Sequence, residues 1–467
     1  MLGALRERRW RMFWIEFFFD AFGTIQIFGA VTLVPFIRDD FGVSPSFAAW
    51  ATIGYSIGTA SGMLPMAYLG NTLGRKPVLL IGLATEATCL ALLFVAPNML
   101  AVAAIRTVEG VANAMTTSSM MAMVQGSFTP RERGKTLGLM NGGQGSGAVL
   151  ATFIAGAIGE NWDWRWLFLL IAPIYATTAV LVAWQFRDIA GGQTARPSIW
   201  RFDFAGMAVL AGGLTALVLA LQEVRGGGRG LAIGGAIMAL AIVAFWAFTR
   251  IERRARNPVI DPSLFRSRSL TFGALANALF SFTYGAALFL FPFYLIDGLG
   301  WAGGFAGATM MTLSIVRPIV APISGTLTDR IGTTRLEAAA FGSAIAGSLL
   351  AMALGASPPV ALVIVAMLLI GGGFGLAAAP NQKRIYVNVP QRLLSSAPGI
   401  ALLGNHGGRT LGTAFAAMLF TLFSGEMSIP TAFTACMGLL AAVFSITTVT
   451  AWLRLRDEPL PARSASG

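Results

Sequence analysis

The stretch Tyr68-Leu69-Gly70-Asn71-Thr72-Leu73-Gly74-Arg75-Lys76 lies between two long apolar runs, 47–69 and 77–96. A second stretch, Gly325-Thr326-Leu327-Thr328-Asp329-Arg330-Ile331-Gly332, repeats part of this pattern much later in the chain. Leu69 matches Leu327 and Gly74 matches Gly332, at the same offset in both cases. A short polar turn with glycine and basic residues that returns within an apolar chain indicates an internal duplication.

The composition is that of a polytopic membrane protein. Of the 467 residues, 55% are hydrophobic and 12% are charged, whereas a soluble domain carries about 25% charged residues. Each predicted span is long enough to cross a hydrocarbon core of about 30 Å. We predict an all-α membrane protein with fourteen transmembrane helices, at 12–36, 47–69, 77–96, 98–126, 136–159, 166–186, 203–222, 230–249, 270–296, 303–327, 336–355, 358–380, 395–423 and 430–453.

The distribution of positive charge predicts how the chain is oriented. The net charge is +12, and most cations lie in alternate loops; the other loops hold Arg38, Arg165, Arg225 and Arg229. By the positive-inside rule both termini are cytoplasmic, and the excess of cations is a topology signal rather than a nucleic-acid site. The first apolar run lacks a small-residue cleavage site and is predicted to be an uncleaved span. We expect a multi-pass protein of a cell membrane, a bacterial inner membrane.

Several kinds of site are excluded by the residues themselves. Cys89 and Cys436 fall inside predicted helices, so we expect neither a disulfide nor a thiol metal site. His406 is the single histidine, which excludes a histidine metal cluster. No Ser/His/Asp, metal or phosphate-loop constellation is present. We therefore predict no enzyme activity, no metal and no cofactor; a membrane enzyme or a non-transporting sensor is a remote alternative.

The first stretch resembles the loop signature of the major facilitator superfamily, roughly G-x-L-x-D-R-x-G-R-K. The first copy keeps Arg75 and Lys76 but has Asn71 where the signature has Asp, and the second copy has Thr333-Thr334 where the basic pair would stand. In this family the Asp belongs to a charge network that closes the cytoplasmic side. The alternative is a surface turn with snorkelling cations. The resemblance implies gating roles for Gly74, Arg75, Lys76, Asp329, Arg330 and Gly332.

Other segments resemble the fourteen-helix drug:proton antiporters of that superfamily. Residues 104–114 are similar to its R-x-x-Q-G-x-x-x-A signature, with Glu109 in place of Gln, and 203–249 looks like the extra helical pair between the halves. The resemblance implies two six-helix bundles plus the central pair, alternating access and a monomer. The domains are expected at 1–187 (N-terminal bundle), 188–268 (linker with two extra helices), 269–453 (C-terminal bundle) and 454–467 (a disordered cytoplasmic tail).

Candidate proton-coupling residues are the ionisable groups placed within the predicted spans. Asp20 either faces a cavity or is solvated near the headgroups, and Glu86 is either paired inside the bundle or a proton site. Arg106 and Glu109 are three residues apart and can pair, either as a poised proton carrier with its cation or as a static ion pair. His406 can titrate or serve as a packing residue.

Candidate substrate-binding residues are the other polar groups at membrane depth. Arg317 lies about 18 Å from the cytoplasmic end at 1.5 Å per residue, near the midplane, where transporters bind substrates. It serves either substrate or coupling contact or structural pairing. Arg409 lies one turn after His406, and Gln26 stands where antiporters often have Asp nine residues before Pro. The predicted set is Gln26, Asn277, Tyr284, Arg317, Asn405 and Arg409.

Two transport functions are compatible with these residues. The first is proton-coupled export of amphipathic, drug-like compounds through a mostly apolar cavity. The second is transport of an anionic or lipid-like substrate held by Arg106, Arg317 and Arg409. The second is favoured by the predicted helix at 136–159, where the Gly-Pro of antiporters is replaced by Ala151-Thr152. In both cases the partners are a small amphipathic molecule, protons and the lipid bilayer, without nucleic acid.

Overall fold

The structure is a computed structural model that describes residues 8–128, 130–185, 204–223, 227–252, 268–386 and 397–455. Within these ranges the chain is helical and contains no strand. The helices are α1 Arg8–Thr32, α2 Val34–Phe41, α3 Pro45–Ala48, α4 Trp50–Leu73, α5 Arg75–Phe94, α6 Met99–Gly126, α7 Pro130–Asn161, α8 Arg165–Gln185, α9 Phe204–Glu223, α10 Gly227–Glu252, α11 Arg268–Pro292, α12 Gly303–Ile331, α13 Thr333–Met352, α14 Val360–Tyr386, α15 Ala397–Ser424 and α16 Ile429–Leu455.

Many of these helices have the length of a membrane span. Seven helical stretches in the described ranges are both long enough and apolar enough to cross a bilayer, which agrees with a multi-pass membrane protein. They are Arg9–Thr32, Arg75–Phe94, Arg165–Gln185, Ala232–Ile251, Gly273–Gly298, Gly303–Ala321 and Val360–Asn381. The predicted total of fourteen spans stays a prediction.

The helices pack as two groups. In the N-terminal half, α1 to α8, the main pairs are α4 with α6, α1 with α7, and α5 with both α6 and α8. In the C-terminal half, α11 to α16, they are α11 with α15 and α14 with both α12 and α13. The halves meet where α7 packs on α12 and α4 on α15, while α9 and α10 pack on each other. The predicted boundary at 187 and residues 456–467 of the predicted tail lie outside the described residues, whereas α11 begins at Arg268 and α16 continues to Leu455. The predicted division into domains stays a prediction.

The repeated polar stretch is a joint of a single residue in each half. α4 ends at Leu73 and α5 begins at Arg75, with Gly74 between them at φ 102° and ψ 139°. Gly332 joins α12 to α13 in the same way, at φ 89° and ψ 156°. This backbone region is open essentially only to glycine. The predicted loop is therefore much shorter than expected, and its two glycines have the same structural role.

Helix ends differ from the predicted spans at two further places. The span predicted at 12–36 ends at Thr32, and the short α2 follows with Pro35 in its first turn. The span predicted at 270–296 ends at Pro292 and continues as a π-helical turn, Phe293–Gly298. Both breaks involve proline, which lacks the N–H that a continuous helix needs. We call the end of the bundle with Arg38 and Gly303 the Arg38 end, and the opposite end, with Gly74 and Gly332, the Gly74 end.

Small residues let the main helix pairs approach closely. A side chain at Gly110 of α6 would meet the backbone of α4 at Tyr55 and Thr59, and one at Gly58 would meet the backbone of α6 at Thr107. Close backbone approach of this kind drives helix association in lipid, where the hydrophobic effect does not. This contact holds α6, with its ionisable residues, firmly against α4.

Candidate functional site

A buried ion pair lies in the N-terminal half. Arg106 Nη1 is 2.8 Å from Glu109 Oε2, and the side chains are 1% and 0% exposed. The same nitrogen donates to Oε1 of Gln26 at 2.7 Å, and Nε donates to the carbonyl of Ala51 at 2.7 Å. The guanidinium carbon lies over the ring of Tyr55 at 4.6 Å. Since the charges satisfy each other, the pair expected from the spacing can exist away from water.

A second carboxylate lies one helical turn from this pair. Glu86 of α5 is fully buried and accepts hydrogen bonds from Thr116 Oγ1 at 2.5 Å and from Asn113 Nδ2 at 3.4 Å. Asn113 follows Glu109 by four residues on α6, so the two residues share one face of that helix. Glu86 of α5 contacts this face through Asn113. Glu86 is therefore hydrogen-bonded by neutral groups and has no arginine partner among the described side chains.

The first helix carries two acidic residues rather than the one predicted. Asp20 is half-buried and accepts a hydrogen bond from Gln144 Nε2 at 3.0 Å. Glu16, one turn earlier, is 2% exposed, and its Oε2 has no hydrogen-bond partner in the described structure. Glu16 is not among the residues predicted from the sequence. Its four-residue spacing from Asp20, which puts both on one helix face, was the available signal.

In the C-terminal half the predicted residues gather on α11, α12 and α15. Arg409 Nη2 is 3.2 Å from His406 Nδ1. A guanidinium can only donate, so Nδ1 of His406 accepts this hydrogen bond. Tyr284 Oη is 3.3 Å from Ser314 Oγ, and Asn405 Oδ1 accepts from Ser281 Oγ at 3.0 Å. Arg317 is half-buried on α12, and Asn277 is half-buried on α11.

A small cavity lies between the halves and brings two predicted arginines together. Its volume is about 20 Å³, which is enough for one water molecule. Arg106 contributes from the N-terminal half and Arg409 from the C-terminal half, and Arg317 does not line it. The complete lining is Ile27, Phe28, Val31, Thr52, Tyr55, Ser56, Arg106, Leu288, Arg409 and Thr413.

Contacts between the halves also lie at the Arg38 end. Arg38 Nη1 forms an ion pair with Asp297 Oδ2 at 2.5 Å, and the Arg38 guanidinium lies over the Phe293 ring at 5.2 Å. Glu160 Oε2 accepts a hydrogen bond from the backbone N–H of Gly304 at 2.8 Å. These residues, which we call the interhalf lock, were not predicted.

The predicted gating residues lie at the Gly74 end. Lys76 Nζ donates to the carbonyl of Ala183, in the last turn of α8, at 2.8 Å. Arg75 is half-buried and Arg330 is exposed. The side chain of Asp329 lies outside what the structure describes. The predicted charge network around it therefore stays a prediction.

Comparison with known proteins identifies the family. The sequence model of the Major Facilitator Superfamily matches residues 17–413. A probable actinorhodin transporter of Streptomyces coelicolor is 30% identical over 84% of this chain and 68% of its own length. A tetracenomycin C resistance and export protein of Streptomyces glaucescens is 25% identical, with 84% and 72% coverage. A riboflavin transporter of Clostridioides difficile is 27% identical, with 83% and 82% coverage.

Solved structures agree with this family at the level of the fold. A bacterial homolog of the human lysosomal transporter Spinster superposes with a TM-score of 0.71 at 13% identity, over 98% of this chain and 100% of its own. A peptide transporter POT in complex with sulfate gives a TM-score of 0.71 at 13% identity, with 96% and 94% coverage. The family match spans both halves and the site between them, so this chain belongs to the Major Facilitator Superfamily and is a transporter rather than an enzyme.

Proposed function

We propose that this transporter exports amphipathic, drug-like compounds in exchange for protons, by alternating access. The observation that carries the proposal is the buried Arg106–Glu109 pair beside a cavity between the halves. A carboxylate whose only charged partner is one arginine can exchange a proton when a substrate disturbs that contact. Glu86 of α5, which is hydrogen-bonded to Asn113 one turn after Glu109, gives such a proton a second acceptor.

The names of relatives support export of amphipathic molecules. The tetracenomycin C protein is named for resistance and export. Other relatives are named as a multidrug transporter of Bacillus subtilis and a multidrug resistance protein of Mycobacterium tuberculosis. The riboflavin transporter also moves an aromatic molecule. By similarity, we infer a small aromatic or amphipathic substrate for this chain.

The interhalf lock, together with the predicted orientation of the termini, leads us to propose a conformational state for this structure. With both termini cytoplasmic in an inner membrane, the Arg38 end faces outward, and the structure corresponds to a state closed toward the outside. The Gly74 end then faces the cytoplasm, where Arg75, Lys76 and Arg330 act in gating with Asp329. The complete protein is proposed to cross the membrane fourteen times and to work as a monomer.

The test is transport by purified protein in liposomes with an imposed pH gradient. We expect uptake of an aromatic amphipathic dye to follow the gradient and to release one or more protons per dye. Glu109→Gln keeps the side-chain shape but cannot ionise, so proton release and gradient-driven uptake should both fall at least tenfold, the effect of about 1.4 kcal/mol. Glu426→Gln, which changes an exposed loop carboxylate, is the matched control.

The outcomes separate a proton carrier from a static pair. If Glu109→Gln folds, measured as a monodisperse protein with an unchanged melting temperature, and still couples dye to protons, the proton role of Glu109 is wrong. If the variant loses stability but coupling per folded molecule is unchanged, the pair is structural. Absence of gradient-driven uptake of any amphipathic probe by the wild type would contradict the export proposal itself.

A further inference from the structure

The two halves carry different ionisable side chains at membrane depth. In the N-terminal half, Arg106 is accompanied by four acidic side chains that are buried or half-buried: Glu16, Asp20, Glu86 and Glu109. In the C-terminal half, Arg317 and Arg409 have no carboxylate partner in the described structure. The described acids of that half lie elsewhere: Asp297 binds Arg38, Glu337 follows the Gly332 joint, and Glu426 is in an exposed loop.

Aromatic rings connect the two unpaired guanidinium groups. The Arg409 guanidinium carbon lies 5.6 Å from the Phe28 ring centre, and the Arg317 carbon lies 4.6 Å from that of Phe374. Between them, Tyr284 stacks on Phe374 with centroids 4.7 Å apart and planes at 9°, and meets Phe28 edge-on at 6.3 Å. We call these five residues the arginine–aromatic cluster. Phe28 comes from the opposite half, so the cluster spans the interface.

The two guanidinium groups and the rings beside them favour an anion as ligand. A cation in a membrane protein is expensive unless an opposite charge or water compensates it, and rings offset only part of that loss. Both arginines are half-buried. Arg409 also lines the central cavity. A guanidinium binds planar carboxylates through two parallel hydrogen bonds, while the rings favour an aromatic body.

We propose that the arginine–aromatic cluster binds the acidic group of the substrate, and that this substrate is an aromatic amphipathic carboxylate or phenolate. The inference rests on the proposed function, because it names the substrate class of that transporter. The acidic group contacts Arg317 and Arg409, and the ring system packs against Phe28, Tyr284 and Phe374. Because the cavity of the closed state holds about one water molecule, this binding requires the halves to separate. A phospholipid or a plain inorganic anion lacks the aromatic body that this cluster fits.

The experiment compares three probes that share the anthracene ring and differ in the charge of the substituent at position 9. These are 9-anthracenecarboxylate, neutral 9-anthracenemethanol and cationic 9-(aminomethyl)anthracene, titrated by fluorescence into purified full-length protein in lipid nanodiscs. We expect the carboxylate to bind about tenfold or more tightly than the alcohol, as a charge-assisted hydrogen bond provides. Arg317→Gln should remove that preference and leave alcohol binding unchanged. Arg317→Lys keeps the charge without the planar fork and should retain part of it.

A matched control and the wild type keep the inference falsifiable. Arg250→Gln removes an exposed arginine that lies over Trp246 and should leave all three affinities unchanged. Benzoate and phosphate are added as competitors: benzoate should displace the anthracene carboxylate, and phosphate should not. Equal affinity of the wild type for carboxylate and alcohol overturns the inference without any variant. Displacement by phosphate at equal concentration also overturns it, because it would indicate a simple anion site.

Transport of the same probes separates this inference from the proposed function. If the pH gradient drives uptake of the alcohol and the amine without any preference for the carboxylate, proton-coupled export is supported. The same result refutes the aromatic anion site. Carboxylate binding that depends on Arg317, without gradient-driven movement of any probe, supports the site and refutes proton-coupled export.

Discussion

Removing one side chain of the interhalf lock should shift the protein toward the state open at the Arg38 end. The ion pair between Arg38 and Asp297 joins the halves at 2.5 Å, with side chains 20% and 13% exposed. Hydrogen bonds between charged groups contribute about 1.5–3 kcal/mol. Taking about 2 kcal/mol, Asp297→Ala should lower the ratio of closed to open molecules about thirtyfold.

The same arginine supplies the control. Asp39 also contacts Arg38, at 2.6 Å, but it belongs to the same half and is 64% exposed. Its contact is present in the open and closed states alike. Asp39→Ala therefore removes a negative charge beside Arg38 without removing a link between the halves, and we expect a shift of less than about twofold.

The assay is electron–electron distance measurement between spin labels on the two halves. Trp162 and Glu426 are exposed near the Arg38 end and can be replaced by labelled cysteines, with Cys89 and Cys436 changed to alanine. Asp297→Ala should add a longer distance and reduce the short one. If Asp297→Ala and Asp39→Ala give the same distribution as the parent, the ion pair does not hold the halves together. If the exchange Arg38→Asp with Asp297→Arg fails to restore the short distance, the pairing argument is wrong.

Three further predictions concern single residues. Gly74→Ala and Gly332→Ala should each lower the free energy of unfolding by about 1–3 kcal/mol because alanine is strained at positive φ, measured as a lower melting temperature in detergent; Gly342→Ala, with open space around it, is the control and should show no loss. Gly110→Ala should separate α6 from α4 and sharply reduce the yield of folded protein, since its side chain would overlap the α4 backbone; a normal yield would contradict the close-approach argument. Glu16→Gln should raise the melting temperature, because it removes a buried carboxyl group that has an unpartnered oxygen; an unchanged or lower melting temperature would contradict this argument.

The sequence predicted those features that depend on local spacing. The membrane class followed from composition, and the equal roles of Gly74 and Gly332 followed from the repeat. The Arg106–Glu109 contact follows from three-residue spacing on one helix, which brings the side chains together in any α-helix. These features need no knowledge of how distant segments meet.

The lock and the aromatic contacts could not be predicted in this way. Arg38 and Asp297 are 259 residues apart, so their pairing depends on how the halves dock. Asp297 also lies in a π-helical turn. Its side chain therefore points in a direction that α-helical spacing does not predict. Phe28 sits on Arg409 across the interface. Phe28 is one of many apolar residues in α1, so nothing in the sequence distinguishes it as the residue that contacts Arg409.

The single-glycine joints have a mechanical consequence. Consecutive Cα atoms are about 3.8 Å apart, so one residue between α4 and α5, or between α12 and α13, provides almost no slack in the chain. Neither helix of such a pair can slide along its neighbour without unwinding a turn. Each pair then moves as one rigid unit. When the protein changes between the states open at its two ends, the movement must occur at interfaces such as that of α7 with α12. A flexible insert of a few glycines after Gly74 would uncouple the two helices of the unit without changing any side chain.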